Sequence, residues 1–288
     1  MLKSHQLLNF IKKRFKVLFF SKIYLILSQK SVEIKINMFN LFYNDYKKSN
    51  IVFDFDSKIK SIDNPSYIDL CNIILPKEQK KRKYFDTIEG KKQLLHTIAH
   101  IEYSAIDLAL DACYRFRELP KEYYDDWLEV AEDEIRHFLM LQKLMDEVGV
   151  KYGDYPVHTN LFEAMKNTPN LLERMAIVPR YLEANGLEQN PKIMEKLKSN
   201  PDNFNQKIIQ TLEVILIEEI DHVKKGDRWF KFECDRLGLD YQKEYLNILE
   251  KHYPGSTQKV QNLNFKARKE AGFSCDELKL LSKKDECK

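Results

Sequence analysis

Chain breakers are scarce in this sequence, with 8 Gly and 9 Pro among 288 residues. So few turn-formers exclude a fold of many short strands and favour long helices. Cysteine is sparse and unpatterned: five residues, at 71, 113, 234, 275 and 287, with no C-x-x-C pair. An odd, scattered set argues against a disulfide scaffold or zinc ribbon and for a reducing, cytoplasmic setting. A long uninterrupted apolar run is also missing. The best stretch, Phe15 to Leu27, is broken by Lys16 and Lys22, too short and too charged to span a membrane. The excess of charge is small as well, +3 overall, and uneven. Residues 1–37 hold eight Lys or Arg against Glu33 alone, so +7 lies there and the remainder carries −4. A slightly acidic body gives no reason to expect nucleic acid as a partner.

What the chain does have is a pair of four-residue stretches, Glu134-Ile135-Arg136-His137 and Glu219-Ile220-Asp221-His222. On a helix, residues three apart stand on one face, so each stretch offers a carboxylate and an imidazole one turn apart. A bundle that holds two iron or manganese ions uses two such Glu-x-x-His pairs plus one Glu from each of two further helices. Glu102 and Glu183 are placed to supply those. Antiparallel neighbours at one height lie equally far from their turn, and the midpoints fall at about 119 and about 202. Both coincide with proline turns, Glu118-Leu119-Pro120-Lys121 and Ser199-Asn200-Pro201-Asp202.

Periodicity supports this layout. A helix is expected over 88–118, with Leu95, Ile98, Glu102, Ile106, Ala109, Leu110 and Cys113 on one stripe. A second, over 121–148, carries Trp127, Val130, Glu134, His137, Leu141 and Leu144. Gly149, Gly153 and Pro156 open a long connection to a third, which starts near Asn160 or Asn170 and is kinked at Pro179 before Glu183. Asn185-Gly186 and Asn190-Pro191 interrupt it, with a restart expected at Pro191, and this break is a candidate opening for substrate or dioxygen. The fourth, over 204–237, places Glu219 and His222 among Ile208, Leu212, Ile215, Val223 and Trp229. Glu218 competes with Glu219, but its spacing to His222 is four, and the Glu134 pattern favours Glu219. His96 and His100 read as hydrogen-bonded structural imidazoles, and Asp133 as a solvent-facing acid. Four carboxylates in one core demand cations. Arg136 and Arg180 fall off the stripes, which leaves two divalent ions with Glu102, Glu134, His137, Glu183, Glu219 and His222 as ligands.

The expected fold class is therefore all-α, an antiparallel four-helix bundle over 88–250 with a long crossover between its second and third helices. Residues 1–37 read either as an amphipathic surface helix or, the favoured reading, as a basic leader, disordered or translated ahead of a start at Met38. Residues 38–87 read as an arm on the bundle, with a short strand at Ile51 to Phe55 and a short helix at Pro65 to Ile74. The basic cluster Lys77, Lys80, Lys81, Arg82 and Lys83 reads as solvated surface. A short helix at 241–251 and a polar tail over 251–288 follow.

The stretches Leu94-Leu95-His96-Thr97-Ile98-Ala99-His100-Ile101-Glu102, Glu134-Ile135-Arg136-His137-Phe138, Tyr181-Leu182-Glu183-Ala184-Asn185-Gly186-Leu187-Glu188 and Glu219-Ile220-Asp221-His222-Val223 resemble a bacterial ferritin-like family catalogued as a domain of unknown function (family 455). The resemblance spans about residues 65–250. It implies a ferritin-like bundle and a dinuclear metal site at the same six residues. The functional expectation is an oxygen-activating di-iron oxidase or hydroxylase acting on a small molecule, with dioxygen and an electron donor as partners. Iron or manganese storage without turnover is the alternative. The bundle is also similar to tRNA-modifying di-iron hydroxylases, a reading that the acidic body disfavours. No oligomeric state is defined, a dimer being the simplest expectation.

Overall fold

The computed structural model describes residues 17–78, 87–284, 286 and 287. Among these residues the fold is all-α apart from one two-residue parallel ladder, β1 (Val17–Leu18) on β2 (Ile51–Val52), and two isolated bridges. The helices are α1 (Phe19–Leu27), α2 (Val32–Lys47), α3 (Ile88–Arg115), α4 (Lys121–Glu147), α5 (Asn160–Asn167), α6 (Leu171–Ile177), α7 (Gly186–Lys198), α8 (Asn203–Leu237), α9 (Tyr241–His252), α10 (Phe265–Glu270) and α11 (Cys275–Leu281). A π-helical segment, Val178–Leu182, and a 3-10 turn, Glu183–Asn185, join α6 to α7.

Four helical arms carry the core, and their reversals fall where the proline arithmetic put them. α3 starts behind a Thr87 cap, whose hydroxyl accepts from Gly90 N, and α8 behind Asp202, which accepts from Asn205 N. α3 packs on α4, α6 and α7 pack on α8, and α4 on α8 closes the two hairpins on each other. α5 lies in the crossover and packs on α3. α8 ends at Gly238, whose φ of 69° is the left-handed cap geometry that glycine allows.

The third arm departs from expectation. Pro179 yields a π-helical turn rather than a simple kink, and its ring sits against Gly226 of α8, where a Cβ would come within 2.2 Å of it. The helix then resumes at Gly186, not Pro191, and runs through Pro191. A proline cannot donate to the carbonyl four residues back. That carbonyl, Leu187 O, accepts instead from Asn264 Nδ2 at 3.0 Å.

Residues 17–37, expected as part of a leader outside the fold, are built into it. Phe19, Phe20, Ile23, Ile26 and Leu27 of α1 are buried against α3, and Met38 falls in the middle of α2. The N-terminus of α1 is capped from afar: Asp54 accepts from Phe20 N (2.7 Å) and Ser21 Oγ (2.6 Å). Lys35, counted as part of a basic leader, is buried and paired with Asp107, which also accepts from Ser66 Oγ. Residues 1–16 lie outside the described residues, as do Lys80, Lys81, Arg82 and Lys83 of the basic cluster.

Two further expectations are corrected. Residues 65–74 form turns, closed by Ile68 N on Pro65 O and Cys71 N on Tyr67 O, and a bridge from Ile73 to Val157 rather than a helix. The polar tail folds back as α10 and α11, with Phe265, Phe273 and Leu278 buried and Arg268 paired with Glu188. Cys275 and Cys287 in this segment form a disulfide, while Cys71, Cys113 and Cys234 are free and buried. Among the described residues no helix is long and apolar enough to cross a membrane.

Candidate metal centre

Each of the two Glu-x-x-His stretches is helical, the first in α4 and the second in α8, and both face the interface between them. Glu134, His137 and His222 are fully buried, and Glu102 and Glu219 nearly so. Glu102, Glu134, His137 and Glu219 each present one donor atom, all within 4.8 Å of one another. Nδ1 of His137 lies 3.1 Å from Glu102 Oε2 and 3.5 Å from Glu134 Oε2. Nδ1 of His222 lies 3.1 Å from Glu134 Oε1 and 3.7 Å from Glu219 Oε1. Glu134 therefore stands between the two imidazoles, whose ring centres are 5.8 Å apart.

His222 and Glu183 both lie outside the 4.8 Å group, but His222 still contacts Glu134 and Glu219. Glu183 contacts none of the other five in this way, yet it lines the same cavity as Glu102, Glu134 and Glu219, and its Oε2 is buried without a hydrogen-bond partner. The π-helical and 3-10 backbone that delivers it accounts for the difference, because the regular three-and-four spacing stops at Val178.

The outer faces of the imidazoles carry a pattern that the apolar stripes do not contain. Nε2 of His137 is 2.6 Å from Glu218 Oε2, and Nε2 of His222 is 3.2 Å from Asp133 Oδ2. The acid just before each Glu-x-x-His thus holds the histidine of the other helix. In the neutral tautomer that donates from Nε2 to these carboxylates, Nδ1 would be the nitrogen available to a metal, and it faces the inner carboxylates. Arg136 bridges the two outer acids, with Nη2 2.5 Å from Asp133 Oδ1 and 2.7 Å from Glu218 Oε2. Asp133 is therefore not simply a solubility residue, and Glu218 has a place beside Glu219 rather than instead of it. The signal was present as a repeated acid-Glu-x-x-His, Asp133 to His137 and Glu218 to His222.

Among the described residues the two imidazoles, and no Lys or Arg, offset the charge of the four acids. Burial, reinforced by the charge of Glu134, raises the Glu102 carboxyl to about 8. Burial and then the charges of Glu219 and Glu134 push Glu183 well above the usual carboxylate range. Burial acts against the charge of Glu134 too, but the imidazoles of His137 and His222 outweigh it and hold this carboxyl far below its ordinary value. His137 rises to about 11, burial being overcome by Glu102 and Glu134. The arginines do not serve the centre. Arg136 stays at the rim, and Arg180, although buried, pairs with Asp227 (3.1 Å) and Glu277 (2.5 Å). Both oxygens of Glu134, Oε2 of Glu183 and Nδ1 of His222 make no hydrogen bond. Orphaned hard oxygens and imidazole nitrogens converging in a buried core fit divalent first-row metal ions.

His96 and His100 stay apart from this group, as structural imidazoles. His96 Nε2 accepts from Gly153 N at 2.9 Å, and His100 lies 3.0 Å from both Tyr152 Oη and His158 O.

Fold and site together define a mostly helical protein with a buried carboxylate and imidazole group able to hold metal. The chain belongs to the family described as Protein of unknown function (DUF455), which matches residues 28–279. That match starts and ends outside the 65–250 span of the expected resemblance and includes part of the supposed leader. A Haemophilus influenzae (strain ATCC 51907 / DSM 11121 / KW20 / Rd) protein described as uncharacterized is 37% identical over 214 residues, covering 72% of each chain. No solved structure matches.

Proposed function

We propose that this chain is a ferritin-like dinuclear metal protein, with two iron ions as the resident pair, and that it activates dioxygen to oxidise or hydroxylate a small molecule. The observation that carries the reading is the convergence of Glu102, Glu134, His137, Glu219 and His222, with Glu183 on the same cavity wall, in a core where, among the described residues, no Lys or Arg pairs with the four acids. Glu134 and Glu219 are the bridging candidates, and Glu102 and Glu183 the terminal ones. Two ferrous ions held there would supply the electrons and open coordination positions that dioxygen reduction needs. The protein's own contribution is to fix both imidazoles through Asp133 and Glu218, to exclude water, and to leave one apolar approach.

That approach is a cavity of about 520 Å³ whose floor is Glu102, Glu134, Glu183 and Glu219 and whose wall includes the interrupted segment from Glu183 to Lys196. It supports the expectation that the break in the third arm admits substrate or dioxygen. Anaerobic loading with ferrous iron, followed by metal analysis and oxygen titration, tests the proposal. Two irons per chain and oxygen uptake coupled to an added reductant are expected. Metal retained without any oxygen uptake would overturn the enzymatic reading. A 12- or 24-subunit cage on a sizing column would replace it with storage.

A further inference from the structure

The cavity above the four carboxylates has a composition that selects its occupant. Its walls are aliphatic, from Ile98 and Leu108 of α3, Leu161 of α5, Leu182 of the π segment, Ile193 of α7 and Ile215 of α8. Among the described residues no aromatic side chain lines it, in a chain with 17 Phe, 15 Tyr and 2 Trp. Planar bases and aromatic rings are held by stacking on aromatic faces, and this cavity offers none. Aliphatic walls instead reward a flexible hydrocarbon, through the area removed from water.

Polarity is segregated to the two ends. At the floor stand the four acids. At the mouth, Asn185 at the N-cap of α7 and Gln189, Lys192 and Lys196 along it follow one another at helical spacing, with Glu195 as the acid among them. Thirteen residues separate Glu183 from Lys196, roughly 20 Å at helical rise. A head group carrying negative charge is repelled by the floor and attracted by two lysines one turn apart at the mouth. The volume of about 520 Å³ lies within the range of small-molecule sites.

From these features we infer that the cavity binds a linear aliphatic molecule with one anionic head, its chain toward the carboxylate floor and its head at Lys192 and Lys196. The assignment rests on the reading of the floor as the reactive centre and names the substrate class for it. A nucleobase or other aromatic substrate does not fit these walls.

Calorimetric titration of the full chain with dodecanoate, dodecyltrimethylammonium and adenosine monophosphate tests this, on protein as purified and after loading with Mn²⁺, with metal content measured on each sample. One dodecanoate per Mn²⁺-loaded chain is expected, bound at least tenfold more tightly than either other probe. Ile193→Trp on α7 and Leu161→Trp on α5, which each add bulk to the cavity, should each weaken dodecanoate at least tenfold without lowering the metal content. The pair Lys192→Glu and Lys196→Glu should weaken dodecanoate and strengthen the cationic amphiphile. Undiminished binding to both tryptophan variants, equal binding of the two amphiphiles, or preference for the nucleotide would each overturn the proposal. Metal uptake without dodecanoate binding would refute the substrate class and leave the dinuclear reading standing. Dodecanoate binding lost in both tryptophan variants, in a chain that takes up no metal, would do the reverse.

Discussion

Gly226→Ala is the substitution whose sign the structure decides. In a solvent-facing helix, replacing Gly by Ala stabilises by up to about 1 kcal/mol. Here the new Cβ would lie 2.2 Å from both Cβ and Cγ of Pro179, against an ordinary carbon contact of about 3.5–4.0 Å. The proline cannot easily retreat. Its neighbour Arg180 is tied to Asp227 and Glu277, and Tyr245 Oη donates to Arg180 O at 2.9 Å. Overpacking of this kind costs about 1–3 kcal/mol, so the net change should be destabilising. Gly186→Ala is the internal control, because Gly186 has helical φ (−59°) and nothing within 4 Å of its Cβ position. It should melt at or slightly above the parent, while Gly226→Ala melts several degrees below it. Because the π segment leads into Glu183, Gly226→Ala should also lower bound metal per chain, measured by elemental analysis beside the melting curve. A Gly226→Ala variant as stable as the parent, with full metal content, would show that the contact with Pro179 constrains nothing.

Three further outcomes are expected from the same packing. Phe19→Ala should cost about 3–5 kcal/mol in urea denaturation, since Phe19 is fully buried among Phe20, Phe42, Phe53 and Tyr124; an unchanged midpoint would detach α1 from the fold. Burial lowers His96 to about 4 against about 6.5 unfolded, so the unfolded chain takes up a proton first as pH falls. Stability should then drop between pH 6.5 and 4 by up to about 3 kcal/mol, and His96→Gln, which retains an acceptor for Gly153 N, should flatten that limb; identical limbs would refute it. Mn²⁺ at a hundred times its dissociation constant should stabilise the chain by about 2.7 kcal/mol, and Glu134→Ala should abolish the shift; a parent melting curve indifferent to Mn²⁺, Fe²⁺ and Co²⁺ would end the metal reading.

The helical class, both proline reversals and the facing Glu-x-x-His pairs were legible because each rests on local information. Three- and four-residue spacing places Glu102, Glu134, His137, Glu219 and His222 on buried stripes whatever the rest of the chain does. Asp133 and Glu218 could have been read the same way, as acids preceding each pair, but only the packing of α4 on α8 shows that each serves the opposite histidine.

Elsewhere local rules misled because distant residues met the need. Positive charge made residues 17–37 look foreign to a core, until Asp107 supplied a partner for Lys35 and Asp54 a cap for α1. Pro191 read as a helix start, until Asn264 satisfied the carbonyl that the proline abandons. Glu183 reaches the cavity on backbone whose irregularity is set by Pro179 lodging on Gly226. Spacing along a helix is encoded within a few residues and survives in the sequence. A buried charge, a missing donor or a tight notch is resolved by whichever residue folding brings near, and that partner exists only in three dimensions.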